Sequence, residues 1–200
     1  MAKPALFDPH PYRKSVTLTP EHFQKRQGNE KPTYSNLRDQ NCYVPVDLPP
    51  NVCIGESESH NHIYIEGITG ENSEVRMRDG IFSARALGKN SKVDGGGLII
   101  ISDLNLSRQS VNLPNGKMGN TGGSTVLVVP EEIRHQVFDA VVNEYGYSPW
   151  QLDYSGGSGI ERLNATLAPF KKHSLEFIPD NRPKTKAFLE AAGLLGKSPD

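Results

Sequence analysis

The clearest pattern along the chain is two uninterrupted apolar runs that follow glycine-rich stretches. Leu98 to Ile101 comes directly after three glycines, and Val126 to Val129 follows a second glycine-rich stretch. Runs of branched apolar residues this short are typical of strands that are buried on both faces. The sequence therefore predicts central strands at residues 98–102 and 124–129.

A different, alternating pattern marks residues 62–66. Ile63 and Ile65 are apolar, whereas His62, Tyr64 and Glu66 alternate with them. This period of two predicts a strand with those three side chains on one face. A turn at 69–72 precedes residues 74–78, so the pair is predicted to form a hairpin, and residues 172–179 are predicted to form a late strand.

The helical pattern is strongest at residues 131–145. Apolar residues recur at helical spacing from Ile133 to Tyr145, Pro130 precedes them, and Glu131 and Glu132 stand where the helix dipole favours acids. A terminal helix is predicted at residues 183–195. We detect no internal repeat in the sequence.

The N-terminal region lacks an apolar period and is interrupted by prolines. Residues 1–40 are therefore predicted to form a flexible arm with one short helix at 20–27, and residues 41–200 are predicted to form a single α+β domain. We expect strand-rich mixed or antiparallel sheets, arranged as a split β-sandwich with two or three helices.

Composition narrows the possible functions. The 19 glycines and 15 prolines predict many turns and argue against a helical bundle, and the net charge of −1 gives no overall attraction to nucleic acid. No apolar stretch reaches the roughly 20 residues of a membrane helix, and the N-terminus lacks the apolar core of a signal peptide. We expect a cytoplasmic protein, or one exported without a signal peptide. Cys42 and Cys53 fit no metal motif, which leaves reduced thiols or one disulfide.

Three polar groupings could carry chemistry. Arg76 and Arg78 would share one strand face and could bind a pyrophosphate through bidentate hydrogen bonds, or they could simply protect a sheet edge. Gly96 and Gly97 could allow a ligand to approach the backbone closely. His62 and Glu66 could act as acid and base. The spacing of His60 and His62 also occurs at metal sites, but no further ligand stands at a diagnostic distance, so no metal is predicted.

The order of several segments resembles a known family. Four segments are similar, in their order and residue pattern, to the small ADP-ribosyltransferase-like toxins of bacterial type VI secretion: residues 78–82, 95–103, 126–130 and 172–179. The resemblance implies a split β-sandwich that binds NAD in a cleft and modifies a target in another cell. It implies catalytic roles for Ser102, Glu161 and His173, and cofactor binding by Arg76, Arg78, Gly96 and Gly97.

Two other functions remain open. One is a metal-independent ribonuclease toxin that uses His62 and His173 for acid–base cleavage, although the balanced charge does not favour nucleic acid as a partner. The other is a non-catalytic binding protein of phage or effector type. Expected partners are a small-molecule nucleotide and a protein, which for a toxin would be its cognate immunity protein. No membrane partner is expected.

Overall fold

The computed structural model describes residues 14–23, 32–34, 40–55, 62–77, 80–94, 97–107, 125–145 and 158–178, with residues 187, 189, 190 and 193. Eleven strands in these residues form two sheets. Sheet A contains, in spatial order, β1 (Lys14–Thr17), β3 (Gln40–Val44), β5 (His62–Ile65), β7 (Gly80–Ala84), β9 (Gly97–Ile101), β10 (Thr125–Val128) and β11 (Glu176–Ile178). Sheet B contains β2 (Thr33–Tyr34), β4 (Cys53–Gly55), β6 (Glu74–Arg76) and β8 (Lys92–Asp94).

The chain winds back and forth between the two sheets, and we call one strand of sheet A together with the following strand of sheet B a coil. From β1 to β9 successive strands alternate between sheet A and sheet B, and each of the strands β1 to β7 pairs in parallel with the strand two places later. Only β11 runs antiparallel to its neighbour among the described strands. The predicted strand-rich α+β class is confirmed, but the split β-sandwich is wrong, because sheet A is mostly parallel.

The predicted hairpin at residues 62–78 is also wrong. Its two strands, β5 and β6, lie in different sheets. The turn between them carries the chain across to sheet B, and besides one internal bond, from the Ser73 amide to the Gly70 carbonyl, its backbone bonds to the turn of the next coil. The Thr69 amide donates to the Ala86 carbonyl at 3.1 Å, and the Asn72 amide donates to the Lys89 carbonyl at 2.9 Å.

The coils contain a repeat that the sequence analysis missed. Asn51, Asn72 and Asn90 occupy equivalent turns with φ values of 59°, 57° and 56°. The side-chain Nδ2 of Asn90 donates to Asn72 Oδ1 at 3.2 Å. Asparagine tolerates this left-handed conformation better than most residues. Three residues after each asparagine, an apolar side chain enters sheet B in register. The repeat is short, at about 20 residues a coil, and little of it is fixed in sequence.

Two hydrophobic layers hold the molecule together. The inner layer lies between the sheets and stacks Cys42, Ile63, Phe82 and Ile99 from sheet A against the apolar residues of sheet B. The outer layer lies between sheet A and two helices, α2 (Glu131–Tyr145) and α3 (Ser158–Leu167). Sheet A is therefore covered on both faces, which explains its continuous apolar strands.

The individual elements mostly follow the sequence patterns. Strands β9 and β10 and helix α2 confirm the predictions for residues 98–102, 124–129 and 131–145. The late strand is shorter than predicted, and α3, which begins at Ser158 inside a glycine-rich segment, was not predicted. A short helix α1 (Leu104–Ser107) and two 3-10 helices, Pro20–Phe23 and Ala168–Phe170, complete the described elements. Most of the predicted terminal helix lies outside the described residues, although Leu189 is helical and buried.

Part of the predicted N-terminal arm belongs to the sheets. Strand β1 pairs with β3, and β2 pairs with β4. Leu18 and Phe23 are buried in the inner layer. The 3-10 helix at Pro20–Phe23 covers the first half of the predicted short helix, and residues 24–27 lie outside the described part of the chain. The position of the domain boundary itself stays a prediction.

Two further findings concern the cysteines and the membrane. Cys42 and Cys53 are both buried and form no disulfide with each other, and burial raises the pKa of the Cys42 thiol. None of the described helices has the length and the apolar character needed to cross a membrane.

Candidate acid–base site on sheet A

A buried arginine joins α2 to the carboxyl ends of β5 and β7. Arg134 is 0% exposed, and its guanidinium donates to the carbonyls of Ile65 at 3.0 Å and Glu66 at 2.7 Å. It also donates to Ser83 Oγ at 3.1 Å and makes two bonds to the Glu131 carboxylate, at 2.9 and 3.0 Å. The charge of Arg134 is therefore neutralised by Glu131, and its N–H groups are engaged by protein acceptors.

Arg134 and three rings surround Tyr64. The guanidinium carbon lies 4.6 Å from the centre of the Tyr64 ring. The ring centroids of Tyr43, His135 and Phe138 lie 6.2, 5.7 and 5.1 Å from that of Tyr64. Register places Tyr43 directly beside Tyr64 on neighbouring strands, and α2 brings the other two rings. We call Tyr43, Tyr64, Glu66, Arg134, His135 and Asp139 the Tyr64 cluster.

One side of the cluster is a tyrosine–carboxylate pair. The Tyr43 side chain hydrogen-bonds to Glu66, which is exposed just beyond the end of β5. Burial, followed by the negative charge of Glu66, raises the pKa of Tyr43. The phenol therefore keeps its proton at neutral pH and shares it with the carboxylate.

The other side is a histidine–aspartate pair one turn apart on α2. His135 Nε2 lies 3.5 Å from Asp139 Oδ2, and the two side chains are 23% and 30% exposed. Burial lowers the pKa of His135 and raises the pKa of Asp139 to about 7. Burial thus favours the neutral form of both groups, and His135 Nε2 is itself buried with no hydrogen-bond partner among the described residues, so near pH 7 the two are neighbours rather than an ion pair.

Clustered pKa shifts of this kind are typical of sites that move protons. The Tyr64 cluster holds an imidazole that is neutral near pH 7, a carboxyl group that titrates near pH 7 and a phenol that retains its proton. All three are partly accessible, whereas Tyr64 and Arg134 beneath them are buried. The arrangement can accept a proton at His135 and hold a polar substrate at Glu66 and Tyr43.

The structure describes the surroundings of two of the three residues to which the family resemblance gives catalytic roles. Ser102 follows β9 and donates to Glu131, so it touches the partner of Arg134. His173 lies in the turn after the second 3-10 helix rather than on a strand, and no hydrogen bond joins it to Ser102 among the described side chains. Glu161 lies in α3, and its side chain is outside the described residues.

Two of the four predicted cofactor-binding residues, Arg76 and Gly97, lie in the described part of the chain. Arg76 lies in sheet B and makes two hydrogen bonds to Glu74, at 2.9 and 3.2 Å, so it is part of an ion pair on a different sheet from Ser102. Gly97 begins β9 with a φ of 116°, a conformation that favours glycine. Arg78 and Gly96 lie outside the described residues.

The face predicted for β5 is confirmed. Ile63 and Ile65 point into the inner layer, and Tyr64 packs in the outer layer. Glu66 joins the Tyr64 cluster, but His62 is only 1% exposed, which removes it from contact with solvent. Within the described part of the chain, no three metal-ligating side chains lie together.

The residues that sequence reasoning missed are Tyr43, Arg134, His135 and Asp139. His135 and Asp139 stand four residues apart on the predicted helix, and that spacing was the available signal, because such pairs lie on one helix face. Comparison with protein-family models, with curated proteins and with solved structures finds no match to this chain.

Proposed function

We propose that this protein is an enzyme that uses general acid–base catalysis at the Tyr64 cluster. The observation that carries the proposal is the pairing of His135 with Asp139, whose pKa values shift in opposite directions at a partly exposed position. Catalytic acids and bases work best with pKa values near the working pH. The class of reaction is proton removal from a hydroxyl or a water, as in hydrolysis and group transfer.

In this proposal His135 is the base. Because its pKa is lowered, the ring is neutral near pH 7 and can accept a proton from the attacking oxygen. Asp139 lies beside Nε2, so its ionised carboxylate favours the tautomer that carries the hydrogen on Nε2 and leaves the Nδ1 lone pair to accept the proton, a role similar to that of the carboxylate in a catalytic triad. Glu66 and Tyr43 bind the substrate on the opposite side of Tyr64.

The titration of His135 tests the proposal without knowledge of the substrate. Proton NMR of the imidazole C–H signals follows each histidine with pH, and His135→Gln assigns its signal. We expect His135 to titrate below the usual 6.5 and its curve to show a second inflection near pH 7 from Asp139. That inflection should disappear in Asp139→Asn. A single ordinary curve for His135 would falsify the proposal.

Activity is then sought on chromogenic esters, glycosides and phosphodiesters. Activity at this site should fall by about 10²-fold or more in His135→Gln, the usual contribution of a general base. His173→Gln is the control, because that residue lies in a turn outside the Tyr64 cluster. A hydrolysis signal that survives in His135→Gln would place the chemistry elsewhere.

The NAD-using toxin suggested by segment order remains an alternative proposal. The contact between Ser102 and Glu131 supports it by bringing one predicted catalytic residue to the edge of the Tyr64 cluster. The engagement of Arg134 by Glu131 and Arg76 by Glu74 speaks against a pyrophosphate site at either arginine. NAD loss on incubation, with toxicity on expression in bacteria, tests it. Unchanged NAD together with normal growth would exclude it.

A further inference from the structure

Ser102 begins a chain of hydrogen bonds that leads to the buried arginine. Its hydroxyl donates to Glu131, and its backbone amide donates to the Arg85 carbonyl at 3.1 Å. The second bond ties Ser102 to the residue that follows β7, so the backbone of sheet A holds the serine in place. Because Glu131 is the first residue of α2, Ser102 links the carboxyl end of sheet A to the first turn of that helix.

Glu131 is the exposed member of a half-buried ion pair. Its two carboxylate oxygens accept from Arg134 at 2.9 and 3.0 Å, and the oxygen at 3.0 Å also accepts from Ser102. The Glu131 side chain is 50% exposed, whereas Arg134 is 0% exposed. A half-exposed carboxylate has water as an alternative partner and several rotamers open to it. The bond from Ser102 therefore favours the rotamer in which Glu131 neutralises Arg134.

Arg134 connects this ion pair to the histidine of the Tyr64 cluster. Its guanidinium carbon lies 4.6 Å from the centre of the Tyr64 ring, and the His135 ring packs edge-on against the same ring at 5.7 Å. Burial is the largest cause that lowers the pKa of His135; the charge of Glu66 raises that pKa, and the charge of Arg134 lowers it. Arg134 also donates to the Glu66 carbonyl at 2.7 Å. The position of the guanidinium therefore affects His135 directly and through Glu66.

We infer that Ser102 and Glu131 are positioning residues of the acid–base site, which act on His135 through Arg134. The inference rests on the proposed function and adds to it the residues that set the proton affinity of the base. Helical spacing supports it, because Glu131 and His135 stand four residues apart and so share one face of α2. Ser102 then has a role different from the catalytic one that the family resemblance implies.

Histidine titration in matched variants tests the charge of Glu131. Glu131→Gln keeps an acceptor for Arg134 but removes the negative charge, so the arginine is left uncompensated and His135 should bind its proton about threefold or more weakly. Glu132→Gln is the control, because it makes the same change at the next, exposed position and should leave the titration as in the wild type. Proton NMR of the imidazole C–H signals measures both. Equal titration of His135 in the two variants would overturn the inference.

Ser102→Ala tests the hydrogen bond to Glu131. Without that bond His135 should bind its proton more weakly than in the wild type, but by a smaller factor than in Glu131→Gln. Ser102→Thr keeps a hydroxyl and should restore the wild-type titration, and Ser174→Ala, at an exposed serine, is the control. The Nε–H signal of Arg134 gives a second readout, because this nitrogen donates to the same carboxylate oxygen. It should shift in Ser102→Ala and stay unchanged in Ser174→Ala; the reverse would count against the chain of bonds.

Kinetics separate a positioning role from a nucleophilic one. On a chromogenic ester, glycoside or phosphodiester that the protein hydrolyses, Ser102→Ala should lower kcat by less than about tenfold with KM nearly unchanged, and Ser102→Thr should recover kcat. A nucleophilic serine would instead make both variants lose about 10³-fold or more. That result would replace the positioning role with a catalytic one.

The inference and the proposed function fail in different ways. A His135 that titrates normally in the wild type contradicts the proposed function. A lowered pKa of His135 that responds to neither Glu131→Gln nor Ser102→Ala leaves the acid–base site in place and refutes only the inference. In that case, a loss of stability in Glu131→Gln would mean that the carboxylate only anchors α2.

Discussion

Arg134 is the residue that fixes helix α2 on sheet A. Its side chain reaches backbone carbonyls at the end of β5, a hydroxyl on β7 and a carboxylate on its own helix. A charge this deeply buried is stable only because each of those groups is in place. The position of the Tyr64 cluster therefore depends on one side chain that the sequence did not single out.

We predict that Arg134→Met destabilises the protein by about 3 kcal/mol, because it removes the donors to the buried carbonyl of Ile65 and the part-buried carbonyl of Glu66. Urea unfolding measures the change. The control is Arg162→Met, which breaks an exposed pair with Glu144 and should cost less than about 1 kcal/mol. Equal losses in the two variants would mean that the buried contacts of Arg134 contribute little.

Asp139 gives a pH-dependent prediction. Its pKa is raised from 3.8 to about 7, so the folded state binds more protons than the unfolded state between these values. The contribution of Asp139 to the free energy of unfolding is therefore largest below pH 3.8 and is lost as the pH rises toward 7. Asp139→Asn should therefore raise stability at pH 8 by roughly 1–2 kcal/mol, after discounting for partial exposure, and lower or barely change it at pH 4.

Thermal or urea unfolding of both proteins across pH 4–8 measures this difference. His135 acts in the opposite sense, because its lowered pKa makes the folded state bind fewer protons below 6.5. The comparison of wild type with Asp139→Asn at each pH isolates the aspartate. A difference that does not change with pH would show that Asp139 titrates normally.

Sequence reasoning reached only part of this site. Alternation placed Tyr64 and Glu66 on the correct face, because strand periodicity is a local property. Tyr43, Tyr64 and His135 come together only through parallel register and the packing of α2, and neither is visible in a single sequence. The burial of Arg134 was equally hidden, since an arginine on a helix is most often exposed.

At the scale of elements, the turns between the sheets decide the fold. Asn51, Asn72 and Asn90 reverse the chain in a left-handed conformation, and each turn bonds to the next through its backbone. Gly88 packs so closely that an added Cβ would lie 2.1 Å from the Thr69 carbonyl oxygen. These requirements concern backbone conformation, so similar turns arise from dissimilar sequences and the repeat escapes detection.

Asn72→Ala should destabilise the protein by about 1–2 kcal/mol, because alanine is strained at positive φ. Asn72→Gly removes that strain and should cost less, which separates backbone conformation from side-chain bonding. Asn143→Ala on the exposed side of α2 is the control and should have little effect. Chemical denaturation compares the three variants, and an Asn72→Gly protein as unstable as Asn72→Ala would indicate that the hydrogen bond to Asn90 dominates.

At the scale of the whole molecule, the stacked coils form one continuous inner layer that begins at the N-terminal strand. Apolar residues from Leu18 to Ile178 belong to the same cluster. In a stacked fold each coil contacts mainly its neighbours, so the first coil protects the second from solvent. The prolines that predicted a flexible arm are compatible with this role, because β1 and β2 are edge strands, where proline-rich surroundings are tolerated.

This view predicts that Leu18 contributes to global stability. Leu18→Ala removes a fully buried side chain and should cost about 2–4 kcal/mol, whereas Leu106→Ala, at a position 56% exposed, should cost less than about 0.5 kcal/mol. Native-state hydrogen exchange gives the sharper measurement. If the first coil unfolds with the rest, Leu18→Ala lowers the protection of amides in β5 and β7 as well as in β3. If residues 1–40 behave as an independent arm, exchange accelerates only near β1, and amides in β7 keep their full protection.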